Sequence, residues 1–146
     1  MQLTRYSDFS LRVLIYLAVR PGELATIDQI SAAYGISRAH LTKVVHQLGR
    51  AGFLETVRGR GGGLRLARAP EAINVGEIVR ATEGSLDLVE CFDPATSHCR
   101  IEPLCGLRGV LEQALDAFLT TLDRHTLADL VARRRRPLAT LLGSPA

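Results

Sequence analysis

Three cysteines, Cys91, Cys99 and Cys105, lie close together, separated by seven and then five residues. Thiolates are soft ligands that suit zinc, copper(I) and iron–sulfur clusters. A free cysteine also buries readily as a small apolar side chain, which is the plain alternative for each. Structural zinc usually brings close C-x2-C pairs, and none occurs here. An odd number of thiols argues against a disulfide framework, so the local trio points to metal or redox chemistry. A cluster normally takes four ligands and three thiolates leave one short. The missing donor would be Asp8, Glu90, His98, Glu102 or an external ligand. A second constellation is polar and basic. Ser37, Arg38, His40, Thr42, Lys43 and His46 share one stretch, and Arg58-Gly59-Arg60-Gly61-Gly62-Gly63 follows it. An arginine fork can read a guanine edge, a lysine meets phosphate, and glycines let a backbone approach closely.

The elements that would position these residues are legible from periodicity. Of the 146 residues 47% are apolar, but only 5% are aromatic and tryptophan is absent, so the core must be aliphatic. Leu11, Leu14, Ile15 and Ala18 recur at helical spacing, with Ser7 as N-cap and Pro21-Gly22 as the stop. Thr26 caps a second helix that Gly35 ends. Ser37 caps a third, whose apolar stripe is Leu41, Val44, Val45 and Leu48 and which Gly52 terminates. Two short helices around Tyr34-Gly35-Ile36 read as a helix-turn-helix. A strand over 53–57, a glycine-rich turn and a returning strand over 64–67 then make a basic hairpin. That order is the plan of a winged helix.

Asn74 caps a further helix, Val75 to Thr82. The stretch 85–106 holds all three cysteines and no clear period, and loops of that length usually have a function. From Leu107 onward a broad stripe of Leu107, Leu111, Ala114, Leu115, Phe118, Leu119 and Leu122 has few local elements to cover it. A second copy of the chain would bury it. The expected fold is mainly α with a small β-hairpin wing, a winged helix-turn-helix plus a long dimerisation helix. The expected segments are 1–83 for DNA binding, 84–106 for the cysteine loop and 107–146 for the dimerisation helix and tail.

The net charge of +3 says less than its distribution. Arg58, Arg60, Arg65 and Arg68 flank the glycine run. The Arg133–Arg136 run is read as favourable charge near a helix C-terminus and is not assigned to DNA. The apolar stretch from Val13 to Val19 is too short to span a bilayer, so no membrane association and a cytoplasmic location are expected. No catalytic set stands out: His40 and His46 fall on the DNA-facing helix, and His98 and His125 have no evident partner. The chain is read as not an enzyme. An electron carrier would need neither the helix-turn-helix nor the basic wing.

Four segments carry a specific resemblance: Met1-Gln2-Leu3-Thr4-Arg5-Tyr6-Ser7-Asp8, Ser37-Arg38-Ala39-His40-Leu41, the Arg58–Gly63 run, and Glu90-Cys91-Phe92 through Cys105. Together they resemble the nitric-oxide-sensing repressors of the Rrf-type family of iron–sulfur winged-helix regulators, over nearly the whole chain and fading after about Arg133. The resemblance implies Cys91, Cys99 and Cys105 as cluster ligands, with Asp8 giving an oxygen ligand across the dimer. It implies a homodimer on double-stranded operator DNA, with Ser37, Arg38, His40, Lys43, Arg58, Arg60, Gly61 and Gly62 at the interface. Nitric oxide is the implied signal and 4Fe–4S the favoured cluster, with 2Fe–2S left open. The Cys91–Cys99 gap is slightly longer than the family pattern. Sister regulators that sense cluster supply or redox state are the alternative. Cluster-supply sensors carry a histidine soon after the last cysteine, where this chain has Gly106, Leu107 and Arg108.

Overall fold

The structure is a computed structural model that describes residues 2–143. Met1, which opens the first resembling segment, and the last three residues of segment 107–146 lie outside it. Seven α-helices and one hairpin follow in order among the described residues: α1 (Arg5–Ala18), α2 (Ile27–Tyr34), α3 (Arg38–Arg50), β1 (Leu54–Val57), β2 (Gly63–Leu66), α4 (Val75–Thr82), α5 (Gly106–Asp123), α6 (Leu127–Ala132) and α7 (Arg135–Leu141). This is the mainly helical architecture with a hairpin wing that the sequence predicts.

Local chemistry explains most boundaries. Thr26 and Gln29 form a reciprocal capping box at the start of α2, and Gly35 ends that helix at φ +65°, a left-handed conformation glycine adopts without a Cβ penalty. Ser37 caps α3 and Asn74 caps α4, each accepting from the N–H three residues on. One expected cap is wrong. α1 starts at Arg5 with Thr4 as its N-cap, and Ser7 is a fully buried residue of the first turn whose N–H donates to Thr4 Oγ1 at 3.2 Å. Thr4 wins because its N–H also donates to Glu83 Oε1 at 2.8 Å, which fastens the head of α1 to the end of α4. Both strands sit within one residue of expectation, with Leu54 opposite Leu66 and Val57 opposite Gly63.

The core is aliphatic. Val13, Leu14 and Leu17 of α1 meet Ile30 of α2, Leu41, Val44 and Leu48 of α3, Leu64 of β2 and Ile78 of α4, with Phe53 the one large aromatic fully inside. Leu127 and Val131 of α6 join the same core at 0% and 5% exposure. The chain thus leaves the winged helix along α5 and comes back. The return is fixed by a polar junction at the start of α4. Asn74 donates its side-chain amide to Asp123 O at 2.7 Å, Val75 N–H donates to His125 O at 2.9 Å, and Leu127 N–H to Ile73 O at 2.8 Å. Arg80 closes a fork on Asp123, Nη1 to Oδ1 at 2.7 Å and Nη2 to Oδ2 at 2.6 Å. That fork lies across Gly76, where a Cβ would stand 2.0 Å from Asp123 Oδ1, so the close approach needs glycine.

The basic run is placed differently from the expectation. Arg133 does cap the C-terminal end of α6, but Arg135 and Arg136 open α7, where the helix dipole disfavours positive charge. Arg135 is turned back toward the C-terminal end of α1, donating Nε–H to Val19 O at 3.4 Å. Arg20, 7% exposed, stacks 3.7 Å over Tyr16 and donates to Tyr16 O and Leu142 O at 3.2 and 3.0 Å. α7 is thereby fastened beside α1.

Leu127→Ala is expected to cost about 2–5 kcal/mol in urea unfolding, the range for a fully buried leucine, and would show that α6 belongs to the winged-helix core. The Arg80 fork holds the Asp123 carboxyl below its usual range, so its contribution is present above the unfolded carboxylate range and lost as pH falls through the lowered value. Asp123→Asn should therefore lower thermal stability at neutral pH, and its difference from the parent should close on acidification.

Candidate nucleic-acid interface and metal centre

α3 turns one stripe inward and leaves the other to solvent. Leu41, Val44, Val45 and Leu48 are buried, whereas Ser37, Arg38, His40, Thr42, Lys43 and His46 are all exposed. Ser37 Oγ lies 2.9 Å from His40 Nδ1 while capping the helix, so the first turn presents a preset pair rather than two free side chains. Arg38 Nη1 sits 3.1 Å from Asp28 Oδ1 at the head of α2. Asp28 was not singled out from sequence, since its only signal is an acid in the first turn of the preceding helix.

The wing brings Arg58 and Arg60 to one tip, both exposed. Gly59 and Gly61 hold φ +104° and +78°, where side chains are strained. At Gly62 a Cβ would stand 2.2 Å from Val57 O, so the turn closes only around glycine. Beside α3, a groove of about 900 Å3 runs between the first turn of α1 and the end of α4, lined by Tyr6, Phe9, His40, Lys43 and Glu83 among others. The first turn of α1 thus lies across this groove from the exposed His40 and Lys43 of α3.

The cysteines occupy the irregular stretch between α4 and α5. Cys91 is buried in a short 3-10 turn, Glu90–Phe92, while Cys99 and Cys105 are half-buried, and all three are free thiols. Burial pushes the Cys91 thiol up, and negative charge on Cys99 pushes it further, with Arg108 opposing. No group of three His, Cys, Asp or Glu side chains among the described residues is gathered closely enough to hold a metal ion.

The fourth-donor candidates are spread out. Glu90 and His98 are exposed. Glu102 has both carboxylate oxygens engaged, by Ser97 and by Arg108, each at 2.6 Å. Asp8, in the first turn of α1, is held by Arg12 through Nε at 3.0 Å and Nη2 at 2.9 Å, and its side chain is 45% exposed. The donor set suits a group assembled on three soft thiolates with a fourth ligand arriving from another molecule, as an iron–sulfur cluster can be. Sequence reasoning missed Arg108 and Glu112 on α5, although their i, i+4 spacing was a readable signal.

α5 itself buries none of its residues, and Leu107 and Val110 at its start are 60% and 61% exposed. Ile101 and Leu104 just before it are more open still. An apolar surface so placed has nothing in the single chain to cover it.

Residues 3–133 match the Rrf2 family, described as an iron-dependent transcriptional regulator. The chain belongs to that family. Among its relatives, an HTH-type transcriptional regulator NsrR from Bacillus subtilis (strain 168) is 56% identical over 135 residues, covering 92% of each chain. A regulator of the same name from Halalkalibacterium halodurans is 49% identical over 146 residues, covering 99% of this chain and 100% of the relative. Of solved structures, CymR, the global cysteine regulator of B. subtilis, superposes with a TM-score of 0.73 at 27% identity, covering 91% of this chain and 98% of that one. T. potens IscR gives 0.74 at 27% identity, covering 91% and 88%. The winged-helix Rrf2 fold and the kinship with NsrR-named regulators agree with the reading from sequence. No described helix is long and apolar enough to cross a membrane.

Gly62→Ala is expected to deform the wing tip; if the wing meets phosphate or a groove wall rather than one base, DNA binding should weaken for all sequences alike. Comparing affinity for a specific and a random duplex checks this, with an unchanged ratio between the two as the predicted result.

Proposed function

We propose that the protein is a cytoplasmic transcriptional repressor that binds double-stranded operator DNA as a homodimer carrying an iron–sulfur cluster, and that nitric oxide releases it. One observation carries the reading: three free thiols sit on the loop that leads directly into α5, the helix whose apolar start, Leu107 and Val110, the single chain leaves exposed. Sensor and dimer contact would then be adjacent parts of one segment, on the same chain as a basic winged helix.

In this reading the apolar faces of two α5 helices pack together and set the spacing of two winged helices, as half-sites on a palindrome require. The first turn of α3, with Ser37, Arg38 and His40, faces base edges. Lys43 meets phosphate, and Arg58, Arg60, Gly61 and Gly62 meet the adjacent groove or backbone. Asp28 steers Arg38 until DNA replaces it as the guanidinium's partner.

Cys91, Cys99 and Cys105 would hold the cluster, with Asp8 of the second copy as oxygen ligand. When bound, the cluster supplies iron open to attack by nitric oxide, and three thiolates plus one carboxylate suit the 4Fe–4S form better than 2Fe–2S. The chain's own contribution is positional. For Asp8 to reach across the dimer, Arg12 must yield at least one of its two contacts. α1 is braced on Glu83 through Thr4 and packs directly on α3. A change of force on Asp8 is therefore delivered to the helix behind the DNA-facing one. The names of the NsrR relatives and the family's description as iron-dependent support this assignment.

Cys99→Ser should abolish retention of iron and sulfide after anaerobic purification while leaving the dimer intact by sedimentation. Asp8→Ala should keep iron but lose the difference in operator affinity with and without nitric oxide. Full nitric-oxide sensitivity in Asp8→Ala would remove Asp8 from the mechanism, and iron-free protein from the parent sequence would remove the cluster.

A further inference from the structure

A chain of four polar side chains ties the cysteine loop to α5. Ser97 Oγ donates to Glu102 Oε2 at 2.6 Å, and Arg108 Nη1 donates to Glu102 Oε1 at 2.6 Å. Arg108 Nε then donates to Glu112 Oε1 at 2.9 Å, one turn further along the helix. Ser97 lies two residues before Cys99, Glu102 three before Cys105, and Arg108 three after it. The network therefore brackets both half-buried thiols.

Its shielding separates it from the other ion pairs. The Arg108 and Glu102 side chains are 32% and 26% exposed and Glu112, the outer end, is 50% exposed, whereas the side chains of the described pairs without Arg108 run from 36% to 70%. Exposed pairs contribute little, but a guanidinium fork shared by two carboxylates on two elements fixes geometry as well as charge. Around it the backbone bonds of the loop are all local, two short 3-10 turns plus turn bonds such as Ser97 N–H to Asp93 O and Glu102 N–H to Cys99 O, so side chains are what tie the loop to α5.

We propose that Arg108 is a positioning residue that staples segment 97–105 to the first turns of α5, ordering Cys99 and Cys105 before any iron arrives and passing a shift of that segment to the helix. The part concerning iron rests on the function proposed above; the staple itself does not. Outer partners that orient ligands typically change metal affinity by about 10–100-fold when removed.

The test uses the full chain, metal-free and iron-loaded, with Arg108→Gln, Glu102→Gln, the double variant, Arg108→Lys and Glu112→Gln. Amide hydrogen exchange over 97–105 is read in the metal-free protein, and the rate of iron loss to a chelator in the loaded one. Arg108→Gln and Glu102→Gln should each speed exchange and hasten iron loss about tenfold, and the double variant should do no more than either single. Arg108→Lys should restore only part of the effect, because an ammonium cannot fork across two carboxylates. Unchanged exchange over 97–105 in Arg108→Gln would overturn the proposal, as would full additivity in the double variant. Glu112→Gln should speed exchange less than Glu102→Gln, because it removes one arm of the fork and leaves the bond to the loop. A rise with Glu112→Gln and none with Glu102→Gln would overturn the proposal too, reducing Arg108 to ordinary helix support. If the parent protein takes up no iron, the cluster reading falls and the exchange arm still decides the staple.

Discussion

Asp123 accepts from Arg80 through both carboxylate oxygens and from the Asn74 amide through its carbonyl, and that junction sets where α5 can point. α5 leaves the cysteine loop and would run on unsupported without it. With the junction closed, its far end is pinned across the start of α4, and α6 is delivered into the core through Leu127 and Val131. Gly76 is the steric condition for this, since any side chain there would occupy the space of the Asp123 carboxylate. The near end of α5 is pinned by Arg108 to the cysteine loop. One helix thus carries a polar clamp at each end, exposed apolar residues at its start and a half-buried stripe, Leu111 to Leu122, along its length.

Such a helix is suited to report a local event at a distance. Packed cores and clamped elements move as bodies rather than deforming continuously. Under the proposed function, a change in the loop at one end of α5 would be transferred either to a dimer contact or, through Arg80 and Asp123, to α4. α4 in turn holds the head of α1 through Glu83. Burial raises the Glu83 carboxyl, but hydrogen bonds from Ser7 and Thr4 outweigh it and the group ends below its usual range, as a charged anchor for α1 should. The contacts from cysteine loop to α1 run through the Arg108–Glu102 and Arg80–Asp123 ion pairs and the Thr4–Glu83 hydrogen bond.

Much of this was legible in sequence. Caps at Thr26, Ser37 and Asn74, the αL glycine at Gly35 and the inward stripe of α3 are local signals and fold as read. The wing is within one residue, the ordinary uncertainty of strand ends. The failures have two causes, distance along the chain and local patterns that run on across a helix break. Ser7 and Thr4 both offer a hydroxyl for α1, and the choice is made by Glu83, 79 residues away. The break after Asp123 was hidden because Leu127 and Val131 prolong the apolar pattern, although Thr126 and Asp129 carry a capping box. Arg133–Arg136 looked like one charged helix end and proved to straddle two helices. At the candidate site, the exposure of the polar stripe of α3 and of the wing arginines was readable by type and spacing. Asp28, Glu102 and Arg108 were not assigned as positioning groups, because their roles depend on which carboxylate folds against which guanidinium.

The central claim is that one dimer couples cluster chemistry on the cysteine loop to the grip of α3 and the wing. The most direct measurement is an anaerobic titration of operator DNA with iron-loaded protein, repeated after stepwise addition of nitric oxide while the cluster's absorbance is followed in the same sample. The account predicts a brown dimer whose operator affinity falls in step with the loss of the cluster spectrum. Equal operator affinity at every point of the titration, with the cluster spectrum gone, would contradict it and leave a winged-helix regulator whose thiols do not govern DNA binding.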